Sequence, residues 1–336
     1  MRLADWPPCK RVPMSPSLFP LADYWWFYLA FTALIVALLA IDLTAHANSH
    51  SISFREASLW SAIWIALALV FNYGLYLYAG SLFDAATARR VGLEFLAGYL
   101  VEKSLSVDNL FVFALIFRYF SVPSKYQHRV LFYGVLGALV FRAIFIAVGA
   151  ALIQFHWVVL AFGAFLIFTG IRLGFEKEKA IHPERNPMIR LARRLFPVTP
   201  EFHEHHFVAR VDGALHLTPL VIVLLLLETT DILFAVDSVP AVFGVTKEPL
   251  VVYTSNVFAI LGLRALYFLL AGAMDRFYIL KYGLAFVLVF VGLKMVWLDD
   301  FAGGHFPIGL SLGVIGGAIG VSIALSLLFP KPGRRP

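Results

Sequence analysis

Long apolar runs with few interrupting charges dominate this chain, and they leave it few folds to choose from. Nine stretches, near 24–43, 58–80, 92–117, 130–149, 152–172, 217–243, 250–272, 279–298 and 305–329, are apolar almost throughout. Each reaches the roughly 20 residues that a helix needs to cross a ~30 Å hydrocarbon layer. Inside lipid every backbone N–H and C=O must be satisfied internally, so only helices or closed barrels span it. These runs are too long and too uniformly apolar for barrel strands, which alternate. Composition agrees: 60% of the residues are hydrophobic and 14% charged, with a mean hydropathy of +0.82. The expectation is an all-α polytopic membrane protein with about nine transmembrane helices.

Several function classes fall away. The single cysteine, Cys9, lies in the N-terminal tail, which excludes a disulfide framework and a cysteine-based zinc or iron–sulfur site. The net charge of +6 reads as topology signals and contacts with anionic lipid, and no nucleic-acid partner is expected. The chain has no Gly-rich phosphate loop, HExxH or GxSxG, so an enzyme is not expected. Residues 1–22 hold Pro7, Pro8, Pro13, Pro16 and Pro20 without a signal-peptide pattern and read as a disordered extension. Met14 is an alternative start. Lysine and arginine set the orientation. With the N-terminus outside, the outer segments carry only Arg2, Lys10, Arg11, Arg89, Arg90 and Lys247. The 173–216 loop alone carries Lys177, Lys179, Arg185, Arg190, Arg193, Arg194 and Arg210. The positive-inside rule therefore favours N-out and C-in, with that loop in the cytoplasm.

The chain also repeats itself. EKSLSVDN at 102–109 matches DILFAVDS at 231–238, GVLGALVFRAIF at 134–145 matches NVFAILGLRALY at 256–267, and FLIFTGIRL at 165–173 matches VLVFVGLKM at 287–295. Arg142 falls on Arg264 and Gly170 on Gly292. The first copy has a longer connector around Pro123. Each copy holds three spans, and an odd number of spans makes consecutive copies point in opposite directions. That is the inverted-repeat plan of secondary transporters, with a site near the midplane. The chain thus divides into two leading helices at 23–91, a first three-helix unit at 92–172, the loop at 173–216, a second three-helix unit at 217–298, and a final helix with a basic tail at 299–336.

Glu102, Asp108, Glu228, Asp231 and Asp237 all fall inside spans, and Arg142 and Arg264 near the centres of theirs. Each such charge costs roughly 2.5–3.5 kcal/mol at the centre of a lipid-facing helix. Seven would cost on the order of 20 kcal/mol, so they face a polar interior and pair. The two arginines read as counter-ions or gating residues. Glu228 and Asp231 share a helix face, whereas Asp231 and Asp237 diverge by about 240° on a regular helix. Pro240 predicts a kink just before Asp237 that could bring them together. The donors at hand are these carboxylates, Asn109, Ser238, Asn256, further hydroxyls and backbone carbonyls. An oxygen-only set suits Mg²⁺, Ca²⁺ or Mn²⁺. Buried carboxylates also carry protons, so proton coupling is a further expectation.

Weaker candidates complete the reading. EFHEHH at 201–206 places His203, His205 and His206 beside Glu201 and Glu204, either a metal-gathering segment or, as expected here, a solvated loop. HFVARVDGALHL at 206–217 reads as a hairpin around Asp212-Gly213. Gly309, Gly313 and Gly317 share a face of the last span, a seam for packing within the bundle or for a homodimer; bundle packing is the expectation. Glu94 stands at the outer edge of the third span as a vestibule ligand or an interfacial residue. Asp42 and Asn72 read as helix-end or interhelical hydrogen-bonding groups.

EKSLSVDNLFVF at 102–113, TPL at 218–220, ETTDILFAVDSVPAV at 228–242 and QHRVLFYG at 127–134 resemble the TerC/Alx family of integral membrane proteins over roughly 24–300. The resemblance implies an inner-membrane protein, linked to tellurite resistance by name and to manganese homeostasis by function. Alx-like members look like Mn²⁺ exporters. Carried over, the functional acids are Asp108, Glu228, Asp231 and Asp237, with Glu102 and Asn109 in the same motif. The alternative is a membrane-embedded partner that hands metal to secreted proteins or scaffolds a metal-stress complex.

Overall fold

The computed structural model describes residues 17–45, 53–175, 186–199, 202, 206–211, 214–270, 277–301 and 306–329. Most of the proline-rich extension and the segment's His203 and His205 lie outside them. The elements are α1 (Leu21–Ala45), α2 (Phe54–Leu82), α3 (Ala85–Tyr119), α4 (Ser124–Leu152), α5 (His156–Phe175), α6 (Pro187–Leu195), β1 (Val208–Val211), β2 (Ala214–Leu217), α7 (Pro219–Phe243), α8 (Pro249–Leu261), α9 (Leu263–Leu270), α10 (Leu280–Leu293), α11 (Asp299–Phe301) and α12 (Ile308–Leu328). A π-helical turn, Lys294–Leu298, joins α10 to α11. The protein is an all-α polytopic membrane protein. Among the described residues seven helices are long and apolar enough to cross a membrane, and the pair α8–α9, bent by 40°, makes an eighth. The 35-residue α3 is also long enough, but Arg89, Arg90, Glu94, Glu102, Lys103 and Asp108 make it too polar to count by composition.

Local chemistry fixes the ends. Ser53 caps α2 by accepting from the Glu56 N–H at 3.2 Å, and Asp84 caps α3 by accepting from Ala86 at 3.1 Å, as N-caps do. Ser121, with φ of 51°, turns the chain between α3 and α4, and Pro123 precedes the first turn of α4. The hairpin forms as expected: Val208 faces Leu217 and Val211 faces Ala214. The kink expected at Pro240 does not form. α7 runs unbroken through it to Phe243. Pro240 removes one hydrogen bond in the last turn, where Val239 to Phe243 are all buried. The Pro240 carbonyl still accepts from Gly244 at 2.9 Å. The break in the second repeat unit lies instead at Gly262, between α8 and α9.

Contact registers give the helix directions. Glu102 meets Asn256 and Lys103 meets Ala259, so α3 and α8 run parallel. Arg142 meets Ser238 and Gly149 meets Phe243, so α4 and α7 are parallel too. Gly163 abuts Gly292 while Gly170 abuts Ala285, so α5 and α10 are antiparallel. Their backbones are in close contact. A Cβ at Gly163 would sit 2.9 Å from the Gly292 carbonyl, and one at Gly292 would sit 2.6 Å from that of Gly163. α12 packs through Ser311, Ile315 and Ser322, all buried. Its glycine stripe does not pack within the bundle as expected: nothing lies within 4 Å of a Cβ at Gly309, Gly313 or Gly317. The serine face turns inward because Ser322 fits against Gly283 of α10.

Candidate functional site

Arg142, 1% exposed, is the hub of a buried polar cluster. It enters from α4, bonds Glu102 of α3 directly, and donates through Nη1 to Ser238 Oγ of α7 at 2.8 Å. Asn256 Oδ1 of α8 lies 3.3 Å from the same nitrogen. Nη2 faces Asp231 Oδ1 at 3.7 Å. The Asn256 amide also donates to the second oxygen of Glu102 at 2.9 Å, and Ser106 reaches Glu102 at 3.5 Å. One guanidinium therefore joins Glu102 and Asp231, the first acids of the two matching motifs. It touches three other helices, and in a medium with little water such a pair holds only with these extra hydrogen bonds.

The cluster carries more acid than Arg142 balances. Glu228 lies one turn before Asp231 on the same face of α7. Its carboxylate fills the space left by Gly137 of α4, where any Cβ would overlap it. Glu228 Oε2 and Asp231 Oδ2 are buried without a hydrogen-bond partner. Unpaired buried acceptors of this kind call for a proton or a cation.

The second acids lie to either side. Gly98, one turn before Glu102, is against Val242, well beyond Asp231 in α7, so α3 and α7 cross antiparallel. Asp108 and Asp237 each lie six residues past their motif's first acid. Each is about 9 Å further along its own helix than that acid; because Gly98 of α3 lies against Val242 of antiparallel α7, Asp108 is level with Asp231 and Asp237 with Glu102. Asp237 accepts from Thr169 of α5 at 3.5 Å, and Asp108 lies on α3, which also touches α10. Asp237 thus faces α5. Asn109, buried, lies two turns past Glu102 on the same face. Straight α7 keeps Asp231 and Asp237 apart, as the 240° spacing requires.

Other candidates fall elsewhere. Arg264 does not join the cluster. It pairs with Asp42 of α1, because the bend after α8 turns α9 toward the leading helices. His206 sits at the foot of the hairpin, where its carbonyl accepts from the Thr218 hydroxyl at 2.8 Å. Glu94 lies two turns above Glu102 in α3 and lines a 340 Å³ cavity with Arg90, Thr246, Glu248, Lys294 and Asp299. It accepts from Thr246 at 2.6 Å and pairs with Arg90 at 3.7 Å. Lys294 donates to the Gly244 carbonyl at 3.0 Å. Burial raises the Glu248 carboxyl above its ordinary range, opposed by the N–H groups of Leu18 and Phe19. Among the described residues no three His, Cys, Asp or Glu side chains are close enough to hold a metal. The acids are held apart, singly or in pairs. Thr169, Gly137 and the cavity residues Thr246 and Lys294 were not singled out by the sequence. For Lys294 a signal existed, since it falls on Arg172 in the third matching block.

The model of the integral membrane protein TerC family matches residues 87–334, which include Glu94, Glu102, Asp108, Glu228, Asp231 and Asp237. The chain belongs to the TerC family. An uncharacterized membrane protein of Myxococcus xanthus is 49% identical over 300 residues, covering 89% of this chain and 91% of the relative. Alx of Escherichia coli (strain K12), a candidate membrane-bound redox modulator, is 47% identical over 292 residues, covering 86% and 90%. A Rickettsia felis membrane protein is 40% identical over 270 residues, covering 80% and 87%. No solved structure matches the chain. As a TerC family member with many apolar helices, the protein is a multi-pass membrane protein.

Proposed function

We propose that this TerC family protein exports a hard divalent cation, Mn²⁺ foremost, across the bacterial inner membrane. The observation that carries the reading is the pair of unpartnered oxygens on Glu228 and Asp231, beside a guanidinium that holds both motifs' first acids. The donors are all oxygen, which suits Mn²⁺ and also accommodates Ca²⁺ and Mg²⁺. Asp108 and Asp237 flank the Glu102–Asp231–Glu228 cluster and complete the acidic set that a cation would meet. A cation arriving at Asp231 and Glu228 competes with Arg142 for the Asp231 carboxylate. In its absence a proton satisfies the same oxygens, which couples metal movement to a proton gradient. The exchange-symmetric packing, α3 on α8 against α7 on α4, supports the inverted repeat. In this reading the N-terminus lies outside and the basic 173–216 loop inside, following the positive-inside rule.

Reconstituted vesicles test this. Mn²⁺ flux should be competed by Mg²⁺ or Ca²⁺ according to the site's selectivity, and should change when the pH gradient is collapsed. Flux indifferent to both pH and gradient removes the proton coupling. A second reading is a membrane-embedded metal-handling partner that binds the ion without sustained flux. It is favoured by the described part of that loop, where α6 and the hairpin pack on α7 and Thr199 bonds Leu217, a surface suited to a protein partner. Metal binding without flux in vesicles would select it.

A further inference from the structure

α8 ends at Leu261 and α9 begins at Leu263, turned by 40°. At the joint the Gly262 N–H turns back to the Ile260 carbonyl and so does not continue the α-helical ladder onto Phe258. The final carbonyls of α8 stand at this break. They lie among buried residues, Ala259, Ile260, Leu261 and Leu263, and carry the partial negative charge of a helix C-terminus. A small cation is the natural complement.

Lys103 supplies one. Its Nζ donates to the Ala259 carbonyl at 3.0 Å. It follows Glu102 in sequence, but neighbours on a helix diverge by about 100°, and its ammonium points to the break rather than into the acidic cluster. Gly262 makes the room. A Cβ there would sit 2.8 Å from the ammonium and 3.2 Å from Trp64 Cβ. The turn, the missing side chain and the buried base therefore meet at one place.

Secondary transporters with broken spans hold their coupling cations at such C-terminal half-helix ends. We propose that the α8–α9 break is a monovalent-cation subsite whose occupant in this chain is the tethered Lys103 ammonium, standing where a free Na⁺ would bind. The protein then has no requirement for Na⁺, and removing the side chain creates one. This goes beyond the reading of the acidic cluster and holds whether or not Mn²⁺ is the cargo.

Thermal unfolding of the purified full chain in detergent tests it, in NaCl, NH4Cl and choline chloride at equal ionic strength. Wild type should melt at the same temperature in all three. Lys103→Ala should melt lower in choline and recover by several degrees in Na⁺ or NH4⁺, because a ligand that binds only the folded state raises its stability. Lys103→Gln keeps a donor for the Ala259 carbonyl and should show no such response. An Ala variant that melts identically in all three salts overturns the proposal. So does a wild type that gains as much as the variant, or an Ala variant that folds in none of the salts. Because the readout is stability, failure here leaves the transport reading standing, and a flux failure leaves this one standing.

Discussion

Arg142 is the residue on which the cluster depends. Its partners are buried, so removing it strands two carboxylates rather than merely losing a contact. Arg142→Met should destabilise the purified protein by about 3–5 kcal/mol, read as a fall in melting temperature. Adding Glu102→Gln should return part of that loss, a non-additivity that a double-mutant cycle measures. Gly137 makes a second prediction. Gly137→Ala forces the Glu228 carboxylate out of its niche and should cut Mn²⁺ flux at least tenfold. The cost in stability should stay within the roughly 1–3 kcal/mol of overpacking. Unchanged flux would remove Glu228 from the site. Arg142, Glu102 and Asp231 were legible in the sequence because a buried charge announces its own cost. Ser238 and Asn256 were legible because they sit at matched or adjacent positions in the repeat. Gly137 and Thr169 were not, since a glycine or a hydroxyl inside an apolar run costs little and carries no mark. The Arg264–Asp42 pair was half legible. Asp42 reads as an interhelical group, but the repeat suggested that Arg264 would behave like Arg142.

At the scale of helices, glycines decide what packs closely. Gly292→Ala should push α10 away from α5 and lower stability by about 1–3 kcal/mol. Gly313→Ala, on the open face of α12, should leave the melting temperature unchanged. Equal effects at both positions would contradict the packing described. The span pattern, the connector at Pro123 and the hairpin at 208–217 followed from length, turn chemistry and alternation. The break did not. Pro240 looked like the breaker, but it sits in a last turn clamped by buried neighbours, where one lost hydrogen bond is tolerated. Gly262 looked ordinary, because glycine is common in membrane helices, and only the ammonium of Lys103 and the side chain of Trp64 reveal why it is needed. The glycine stripe of α12 misled for the opposite reason: its spacing fits close packing, yet the serine face is the one that meets α10.

For the whole molecule, the parallel and antiparallel registers fit one threading, and the positive-inside rule predicts its sense. A reporter active only in the cytoplasm should work when fused after Arg335 and fail when fused before Leu18. The reverse would invert the route without altering the cluster. The central claim is that a divalent cation passes the acidic set made by the Glu102–Asp231–Glu228 cluster with Asp108 and Asp237 beside it. The most direct test is Mn²⁺ flux in vesicles holding wild type or Asp108→Asn with Asp237→Asn, both shown to be folded. Wild type should carry Mn²⁺ and the double variant should lose at least nine-tenths of that flux. Equal flux from the two proteins would contradict the account.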